Sequence, residues 1–183
     1  MRIVGGEARG RTIRPVPGDS TRPTADRVRQ SLFDVLGQKC DGLLVLDLYA
    51  GTGALALEAL SRGAAHATLV EQEAKACEAI RANIDALRYG ERCTLIRDDV
   101  LRALRRLRGP FELVFSDPPY ALRAAQATLD AVAPLLAPGA RVVLEMDRRE
   151  PLPARCELLD DRLYGDTRVL IVRPGQTPAP PLA

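Results

Sequence analysis

The sequence predicts an open α/β fold, in which helices cover a mostly parallel sheet that ends in an antiparallel hairpin. Three observations support this prediction. From residue 43 to residue 145, short apolar runs alternate with segments of helical periodicity, a pattern typical of parallel sheets with right-handed crossovers. Two β-like runs then flank the turn Tyr164-Gly165-Asp166, which indicates a hairpin. The first 37 residues do not follow this alternation, so they form an extension before the sheet.

The N-terminal extension, residues 1–37, combines a predicted hairpin with a predicted helix. Residues 2–17 alternate short β-like runs with glycines, as a small hairpin does. Thr24 is a suitable N-cap, and Asp26 would lie in the first helical turn, where the helix dipole favours a carboxylate. Apolar residues then recur at helical spacing up to Leu36, and the glycine that follows ends the helix.

The main domain, residues 38–173, is predicted to contain seven strands and four helices. The first strand is apolar apart from Asp47, as expected for a buried parallel strand. The strands are assigned to residues 43–48, 67–70, 94–96, 113–115, 141–145, 156–163 and 167–173. The helices are assigned to residues 54–62, 74–87, 100–107 and 124–136. Residues 174–183 contain four prolines, and we expect them to form a disordered tail.

Length and composition indicate a cytoplasmic globular protein without a metal site. The chain has 183 residues, of which 46% are hydrophobic and 27% charged, as in a single soluble domain. No apolar run approaches the ~18–20 residues that span a bilayer, and the N-terminus lacks the apolar core of a signal peptide. The four cysteines are scattered and there is one histidine, so we expect reduced thiols and no bound metal.

Positive charge is concentrated at the N-terminus. The first 29 residues contain seven arginines and three acidic residues, whereas the net charge of the whole chain is +2. A basic arm of this kind favours a nucleic-acid partner, although a general preference for arginine over lysine would also enrich the segment in arginine. The candidate RNA contacts are Arg2, Arg9, Arg11, Arg14, Arg22 and Arg27.

The most informative motif is Asp117-Pro118-Pro119-Tyr120, which follows the fourth predicted strand. Two prolines cannot continue a strand, so the chain must turn rigidly at this point. Asp117 and the carbonyl of Pro118 would accept the two N–H bonds of an exocyclic amine, and Tyr120 would stack on the ring that bears it. A nucleobase amine fits this description. The alternative is a plain turn at the end of a strand, with a tyrosine on the surface.

A second motif, Asp47-Leu48-Tyr49-Ala50-Gly51-Thr52-Gly53, lies between the first strand and the first helix of the main domain. Gly51 and Gly53 allow a sharp turn and a close approach to a ligand, and open parallel sheets bind ligands beyond the carboxyl ends of their strands. Glu71 ends the second strand, and Asp98-Asp99 follows the third. Carboxylates at three successive strand ends outline a nucleoside pocket.

Two cofactors are compatible with the glycine motif. Residues 51–56 fit the loose G-x-G-x-x-A pattern of NAD-binding domains. However, Asp47 would repel a pyrophosphate, since its carboxylate stands just ahead of the glycines. S-adenosylmethionine has no phosphate and carries an ammonium and a sulfonium, so the acidic lining favours it. The alternative is that Asp47 only caps a helix and that Glu71 is an ordinary solvated carboxylate.

Together these motifs resemble those of a known family. Asp47-x-Tyr49-x-Gly51-x-Gly53, Glu71 and the Asp117–Tyr120 tetrapeptide resemble amino methyltransferases that act on nucleobase exocyclic nitrogens. The N-terminal residues Arg2-Ile3-Val4-Gly5-Gly6 and Arg22-Pro23-Thr24-x-Asp26-Arg27-Val28-Arg29 are similar to those of bacterial 16S ribosomal RNA guanine-N2 methyltransferases of the RsmD type. The similarity extends over about residues 2–173, nearly the whole chain.

The resemblance implies a Rossmann-like class I methyltransferase fold, S-adenosylmethionine as methyl donor, and a guanine N2 amine of small-subunit rRNA as acceptor. It implies that the glycine motif binds the methionine part of the cofactor, Glu71 the ribose and Asp99, or its neighbour Asp98, the adenine. It further implies that Asp117 and Pro118 hold the target amine, and that a ribosomal assembly particle is preferred over free RNA. We expect a monomer. A DNA adenine-N6 methyltransferase and a noncatalytic RNA-binding assembly factor are the alternative functions.

Overall fold

One seven-stranded sheet forms the centre of the computed structural model, which describes residues 1–16, 23–119 and 124–175. Its strands are β1 (Leu44–Leu48), β2 (His66–Glu71), β3 (Cys93–Arg97), β4 (Phe111–Ser116), β5 (Leu136–Asp147), β6 (Cys156–Tyr164) and β7 (Thr167–Pro174). Their order is β3-β2-β1-β4-β5-β7-β6. Strands β1 to β5 run parallel, and β7 is antiparallel to both β5 and β6. The predicted mostly parallel sheet with a C-terminal antiparallel hairpin is therefore confirmed.

The helices of the described residues cover both faces of the sheet. They are α1 (Pro23–Val35), α2 (Ala54–Ser61), α3 (Ala74–Leu87), α4 (Val100–Leu104) and α5 (Ala125–Val132). Phe33 of α1, Leu57 of α2 and Ile80 of α3 pack in one core cluster, and residues of α4 and α5 pack in a second. Each fully buried side chain of this size contributes roughly 1.5–3 kcal/mol of hydrophobic stabilisation. Helices α1 to α3 thus cover one face, and α4 and α5 cover the other.

Strand alternation directs three acidic residues toward the face covered by α1 to α3. Val45, Phe115 and Val143 are buried in the core cluster on this face. Successive side chains of a strand point to opposite faces, so residues two positions further along point to the same face. Those residues are Asp47, Asp117 and Glu145. The apolar pattern of the strands therefore also sets the direction of the acidic side chains at their carboxyl ends.

The predicted N-terminal hairpin forms only in part. A single antiparallel bridge joins Arg2 to Thr12. Further along, the segment bonds to α2 instead, since the backbone N–H of Glu7 donates to the carbonyl oxygen of Ser61 at 2.8 Å. Gly6 makes this approach possible, because a Cβ there would lie 1.8 Å from the same oxygen and its φ is +71°. Backbone groups that pair with a helix are not available for a regular two-stranded ladder.

A buried ion-pair network attaches the N-terminal extension to α2. Glu58, in the middle of α2, is fully buried. One of its oxygens accepts from Nε of Arg62 at 2.8 Å. The other accepts from Nε of Arg29 at 3.3 Å and from the backbone N–H of Val4 at 2.8 Å. The Arg62 guanidinium also lies 4.7 Å from the centre of the Phe33 ring. The extension and the sheet therefore share one core.

The prediction for the segment before β5 was wrong. The sequence predicts a helix up to Leu136 and a strand from Arg141, but β5 already begins at Leu136. Its pairing with β4 is irregular, because Leu136 lies opposite Phe111 whereas Arg141 lies opposite Leu113. The extra residues on β5 include Pro138-Gly139, which a bulge can accommodate within a strand. The turn-forming pair Pro138-Gly139 therefore lies inside β5 instead of before it.

Other boundaries also differ by a few residues. Helix α4 ends at Leu104, three residues before the predicted end. Strand β7 continues to Pro174, which pairs with Cys156, so the first residue assigned to the tail belongs to the sheet. The rest of the proposed tail, from residue 176 onward, lies outside the described residues.

Candidate functional site

A pocket of about 390 Å³ opens at the carboxyl ends of β1, β4 and β5. Strand β1 lies between β2 and β4, where the strand order reverses, and such switch points are the usual ligand sites of open α/β sheets. The volume is within the ordinary range for small-molecule sites. The lining includes Asp47, Tyr49, Ala50, Gly51, Asp117 and Glu145. Five of these six residues were predicted as site residues from the sequence.

The loop between β1 and α2 has the sharp geometry that its glycines predicted. Gly53 adopts a left-handed φ of 76° immediately before α2. A Cβ at this position would lie 3.0 Å from Cδ2 of Leu69, so the packing also favours glycine. Tyr49 has a φ of 59°, an uncommon conformation for a bulky side chain. Such backbone strain persists only where the surrounding structure enforces it, and it is frequent at ligand sites.

Asp47 lines the pocket and caps α2 at the same time. Its carboxylate accepts the backbone N–H of Ala56 at 3.1 Å. Burial raises its pKa to about 8, against the opposing effect of the Ala56 hydrogen bond and with smaller contributions from the charges of Asp117 and Glu71. Asp47 is therefore both a helix cap and a pocket carboxylate, rather than a cap alone.

Glu71 connects the end of β2 to the glycine loop. One oxygen of its carboxylate accepts the backbone N–H of Gly51 at 2.9 Å, and the other accepts the backbone N–H of Glu73 at 2.9 Å. The residue is 9% exposed, and it is not part of the pocket lining described above. Each carboxylate oxygen retains a further lone pair. Glu71 can therefore hold the loop and still accept a hydroxyl.

Asp98 and Asp99 lie at the end of β3, outside the lining of the 390 Å³ pocket. Asp99 caps α4, because its carboxylate accepts the backbone N–H of Arg102 at 2.9 Å. Asp98 forms ion pairs with Arg106 and, at 3.5 Å, with Arg102. Both side chains therefore have local partners, while the backbone N–H of Asp98 donates to the carbonyl oxygen of Glu71 at 3.1 Å. The pair lies beside Glu71 but outside the pocket lining.

The chain leaves β4 at Asp117, directly beside the end of β1. The backbone N–H of Asp117 lies 3.5 Å from the carbonyl oxygen of Leu48. The Asp117 side chain is open to solvent at the pocket, yet protein surrounds it on its other sides. This burial, followed by the negative charge of Glu145, raises its pKa to about 7. Pro118 is buried and Pro119 is exposed, whereas Tyr120 lies outside the described residues.

The pocket lining also includes residues that were not predicted as site residues, among them Glu145, Arg29 and Tyr164. Glu145 ends the fifth predicted strand, so its position at a strand tip was the signal that could have identified it. Arg29 comes from α1 and also bonds to Glu58. Tyr164 comes from the C-terminal hairpin, and its hydroxyl lies 2.9 Å from that of Ser31. No local pattern shows that these segments meet the glycine loop.

The arginines proposed as RNA contacts are exposed where the structure describes them. The guanidinium of Arg11 donates to the carbonyl oxygen of Ala86, which holds this side chain against α3. Arg22 lies outside the described residues. The exposed arginines are Arg2, Arg9, Arg11, Arg14 and Arg27.

Two classes of feature are not found in residues 1–16, 23–119 and 124–175. No group of three or more His, Cys, Asp or Glu side chains is arranged to hold a metal ion. None of the helices in these ranges has the length and apolar character needed to cross a membrane.

Comparison with known proteins identifies close relatives. Residues 1–173 match the family described as conserved hypothetical protein 95. Ribosomal RNA small subunit methyltransferase D of Escherichia coli (strain K12) is 36% identical over 156 residues, which cover 84% of this chain and 78% of that protein. The solved structure of yhhF from Escherichia coli has a TM-score of 0.85 at 34% identity, over 96% of this chain and 99% of that chain.

A more distant structure has the same fold with a ligand bound. SMU.776, solved in complex with SAH, has a TM-score of 0.67 at 15% identity, and the match covers 83% of this chain and 50% of that one. The expected class I methyltransferase fold is confirmed. Because the family match covers nearly the whole sequence, the chain belongs to the conserved hypothetical protein 95 family, which is the RsmD family that its N-terminal motif predicted.

Proposed function

We propose that this protein transfers the methyl group of S-adenosylmethionine to the exocyclic N2 amine of a guanine in 16S rRNA, in the cytoplasm. One observation carries the proposal: the glycine loop after β1 and Asp117 after β4 line the same pocket. Strands β1 and β4 are direct neighbours in the sheet. A donor held by the first loop would therefore lie next to an amine held by the second.

The residues of the pocket fit a cationic nucleoside. Asp47 is a buried carboxylate whose raised pKa indicates that nearby positive charge does not compensate its burial. The α-ammonium of S-adenosylmethionine would supply this charge. We assign the methionine part to Tyr49, Ala50, Gly51 and Gly53 of the glycine loop, and the ribose hydroxyls to Glu71. The adenine is assigned to Asp98 or Asp99, which follow the next strand.

The target amine is assigned to the turn after β4. A guanine N2 is a poor nucleophile, because its lone pair is delocalised into the ring. Hydrogen bonds from its two protons to Asp117 and to the carbonyl of Pro118 favour a pyramidal nitrogen and stabilise the positive charge that develops there. Pro119 keeps the turn rigid. Correct positioning of the two reactants supplies much of the acceleration.

S-adenosylmethionine supplies an electrophilic methyl group on a sulfonium. In the reaction the bond from this methyl carbon to sulfur breaks, the bond to the guanine N2 forms, and the nitrogen gives up one proton. As a carboxylate, Asp117 accepts hydrogen bonds at both oxygens and donates none, which suits an amine donor. Its pKa of about 7 leaves it ionised often enough to bind the amine and basic enough to receive the proton.

Three observations support ribosomal RNA as the substrate. The named relative from Escherichia coli is a ribosomal RNA small subunit methyltransferase. Exposed arginines on the N-terminal arm provide positive charge for a polyanion. The arm is attached to α2, the helix that begins at the glycine loop, through Glu58. The guanine would leave its stack to enter the pocket, where Tyr120 is proposed to stack on it.

The test is transfer of labelled methyl groups to small ribosomal subunits, naked rRNA and duplex DNA in parallel. We expect transfer to guanine N2 in the subunits, and Asp117→Ala should lower the rate by at least about 100-fold while cofactor affinity is kept. Asp85→Ala, at an exposed position on α3, is the matched control and should retain full activity.

Each other outcome identifies a different function. Transfer to adenine in duplex DNA would indicate a DNA adenine-N6 methyltransferase. Binding to subunits without any transfer would indicate a noncatalytic assembly factor. Turnover of the Asp117→Ala variant at the wild-type rate would show that Asp117 does not hold the amine.

A further inference from the structure

We propose that Glu145 is a specificity-determining residue that accepts the N1–H of the target guanine beside Asp117. This inference rests on the proposed function and extends it, because it concerns how guanine is distinguished from other purines that carry an amine. The amine alone does not identify guanine, whereas the proton on N1 distinguishes guanine from adenine and 2,6-diaminopurine.

The two carboxylates lie on adjacent strands at the same level. Strands β4 and β5 are parallel, and Ser116 of β4 is paired with Leu144 of β5. Asp117 and Glu145 are the next residues along each strand, and neighbouring strands are separated by about 4.8 Å. Both residues line the 390 Å³ pocket, together with the apolar side chains of Val143 and Val169. Asp117 and Glu145 thus form one acidic wall.

The arrangement matches the edge of guanine. Guanine presents N1–H and the N2 amine as adjacent donors, and an ionised carboxylate only accepts hydrogen bonds. Two neighbouring carboxylates can therefore each take one donor. Adenine and 2,6-diaminopurine have a lone pair at N1 instead of a proton. This lone pair would face the Glu145 carboxylate, so two acceptors would meet and no hydrogen bond would form. A site built in this way selects by repulsion as well as by attraction.

The electrostatics of the pair support the same assignment. After burial, the negative charge of Glu145 contributes to the raised pKa of Asp117. Two negative charges at this separation repel each other, and the repulsion is relieved when donors from one ligand bind both. The apolar neighbours Val143 and Val169 strengthen such hydrogen bonds by lowering the local dielectric. A guanine edge supplies the two donors in one rigid plane.

The first test changes the base and leaves the protein unaltered. Small subunits are reconstituted with synthetic 16S rRNA in which the modified guanine is replaced by 2,6-diaminopurine, which keeps the N2 amine and loses N1–H. We expect kcat/KM to fall by at least about 100-fold, because sites that bind a polar group reject analogues lacking it. Equal kcat/KM values for the two bases would overturn the proposal.

The second test changes the side chain at the same position. In Glu145→Gln the amide can donate to the N1 lone pair of 2,6-diaminopurine, so the preference for guanine should narrow by at least about tenfold. Glu78→Gln, at an exposed position on α3, is the matched control and should keep the wild-type preference. Affinity for S-adenosylhomocysteine and the melting temperature are measured for both variants to confirm that they fold.

The two tests separate this inference from the proposed function. An unchanged preference in a folded Glu145→Gln variant would overturn the role of Glu145, while guanine methylation by the wild-type protein would still support the proposed function. Failure of the wild-type protein to methylate any guanine would remove both. If Glu145→Gln does not fold, the wild-type protein still tests the proposal, because equal kcat/KM values for guanine and 2,6-diaminopurine would overturn it.

Discussion

At the scale of single residues, Asp47 is the clearest conflict between folding and function. Burial of a charged side chain is costly, so we expect an apolar side chain at a position that only fills space in the core. Asp47 is instead 2% exposed, it is bonded to the N–H of Ala56, and its pKa is raised to about 8. A destabilising group at a pocket wall is typical of a ligand site. Its position suggests selection for binding rather than for stability.

Asp47 should make the stability of the protein depend on pH. Its pKa is about 8 in the folded state and 3.8 as a free group, so between these values the folded protein binds more protons than the unfolded one. The free energy of unfolding must therefore fall as pH rises through this window. Asp47→Asn keeps an oxygen for the Ala56 N–H and should flatten the dependence. At about 1.4 kcal/mol for each pH unit, we expect the variant to gain on the order of 4 kcal/mol relative to wild type between pH 5 and pH 8.

Urea denaturation of the two proteins at several pH values measures this difference. If the difference in unfolding free energy between wild type and Asp47→Asn is the same at pH 5 and pH 8, Asp47 is not a buried carboxyl group with a raised pKa. Saturating S-adenosylhomocysteine is left out of the buffer, because ligand binding adds its own stabilisation.

At the scale of elements, α2 connects the pocket to the N-terminal extension. The helix begins at the glycine loop, and its buried side carries Glu58, which pairs with Arg29 and Arg62. Arg29 also lines the pocket. A shift of α2 would therefore move the glycine loop and α1 together. This explains physically why an extension outside the sheet can be part of the site.

Glu58→Gln should strongly destabilise the protein. The substitution keeps the shape of the side chain but removes the negative charge between two largely buried guanidinium groups. Removal of one partner of a buried ion pair costs about 3–5 kcal/mol, because a remaining charge is left uncompensated. Here that charge belongs to Arg62, since Arg29 keeps its ion pair with Asp26 at 3.0 Å. The free energy of unfolding in urea is the measurement. Glu157→Gln, which removes an exposed pair with Arg173, is the control and should change stability by less than about 1 kcal/mol.

One outcome would contradict the prediction for Glu58→Gln, and another would identify the cause of the loss. A loss smaller than about 1 kcal/mol would mean that the network does not hold the extension against α2. A large loss that is recovered in a variant with both Arg29 and Arg62 replaced by uncharged side chains would identify the unpaired charges as its cause.

At the scale of the whole molecule, charge is divided between the extension and the body. The exposed arginines Arg9 and Arg14 lie on the arm, whereas the pocket at the strand tips is acidic. A polyanion would therefore bind the arm and be repelled by the pocket, except where a nucleobase presents donors. This distribution favours entry of a base edge over entry of a phosphate.

Replacement of Arg9 and Arg14 by alanine should weaken RNA binding and reduce its salt dependence. Each lost phosphate contact lowers the slope of log K against log salt by about 0.7–0.9. Fluorescence anisotropy with labelled 16S rRNA at several salt concentrations measures the slope. The control is Arg105→Ala with Arg108→Ala, which removes two exposed arginines from the α4 region. An identical slope for wild type and the arm variant would exclude these arginines as RNA contacts.

Much of the fold was predictable because it depends on local pattern. Helix α3 spans the predicted residues 74–87, and each predicted strand of the sheet is present. The failures occurred where tertiary contacts compete with local signals. Pro138-Gly139 indicated a turn, but pairing with β4 keeps this segment in β5 through a bulge. The N-terminal segment had hairpin signals, but its amides found partners in α2.

The sequence by itself determined the alternation of strands and helices, the sharp loop at Gly51 to Gly53, and the end of β4 just before Asp117. These are properties of short segments, and apolar periodicity and backbone stereochemistry are sufficient to specify them. Only the tertiary structure decided that β4 lies next to β1 and β5 next to β4, which brings Asp47, Asp117 and Glu145 to one pocket. Strand order depends on contacts between distant segments, and no local pattern of residues encodes such contacts.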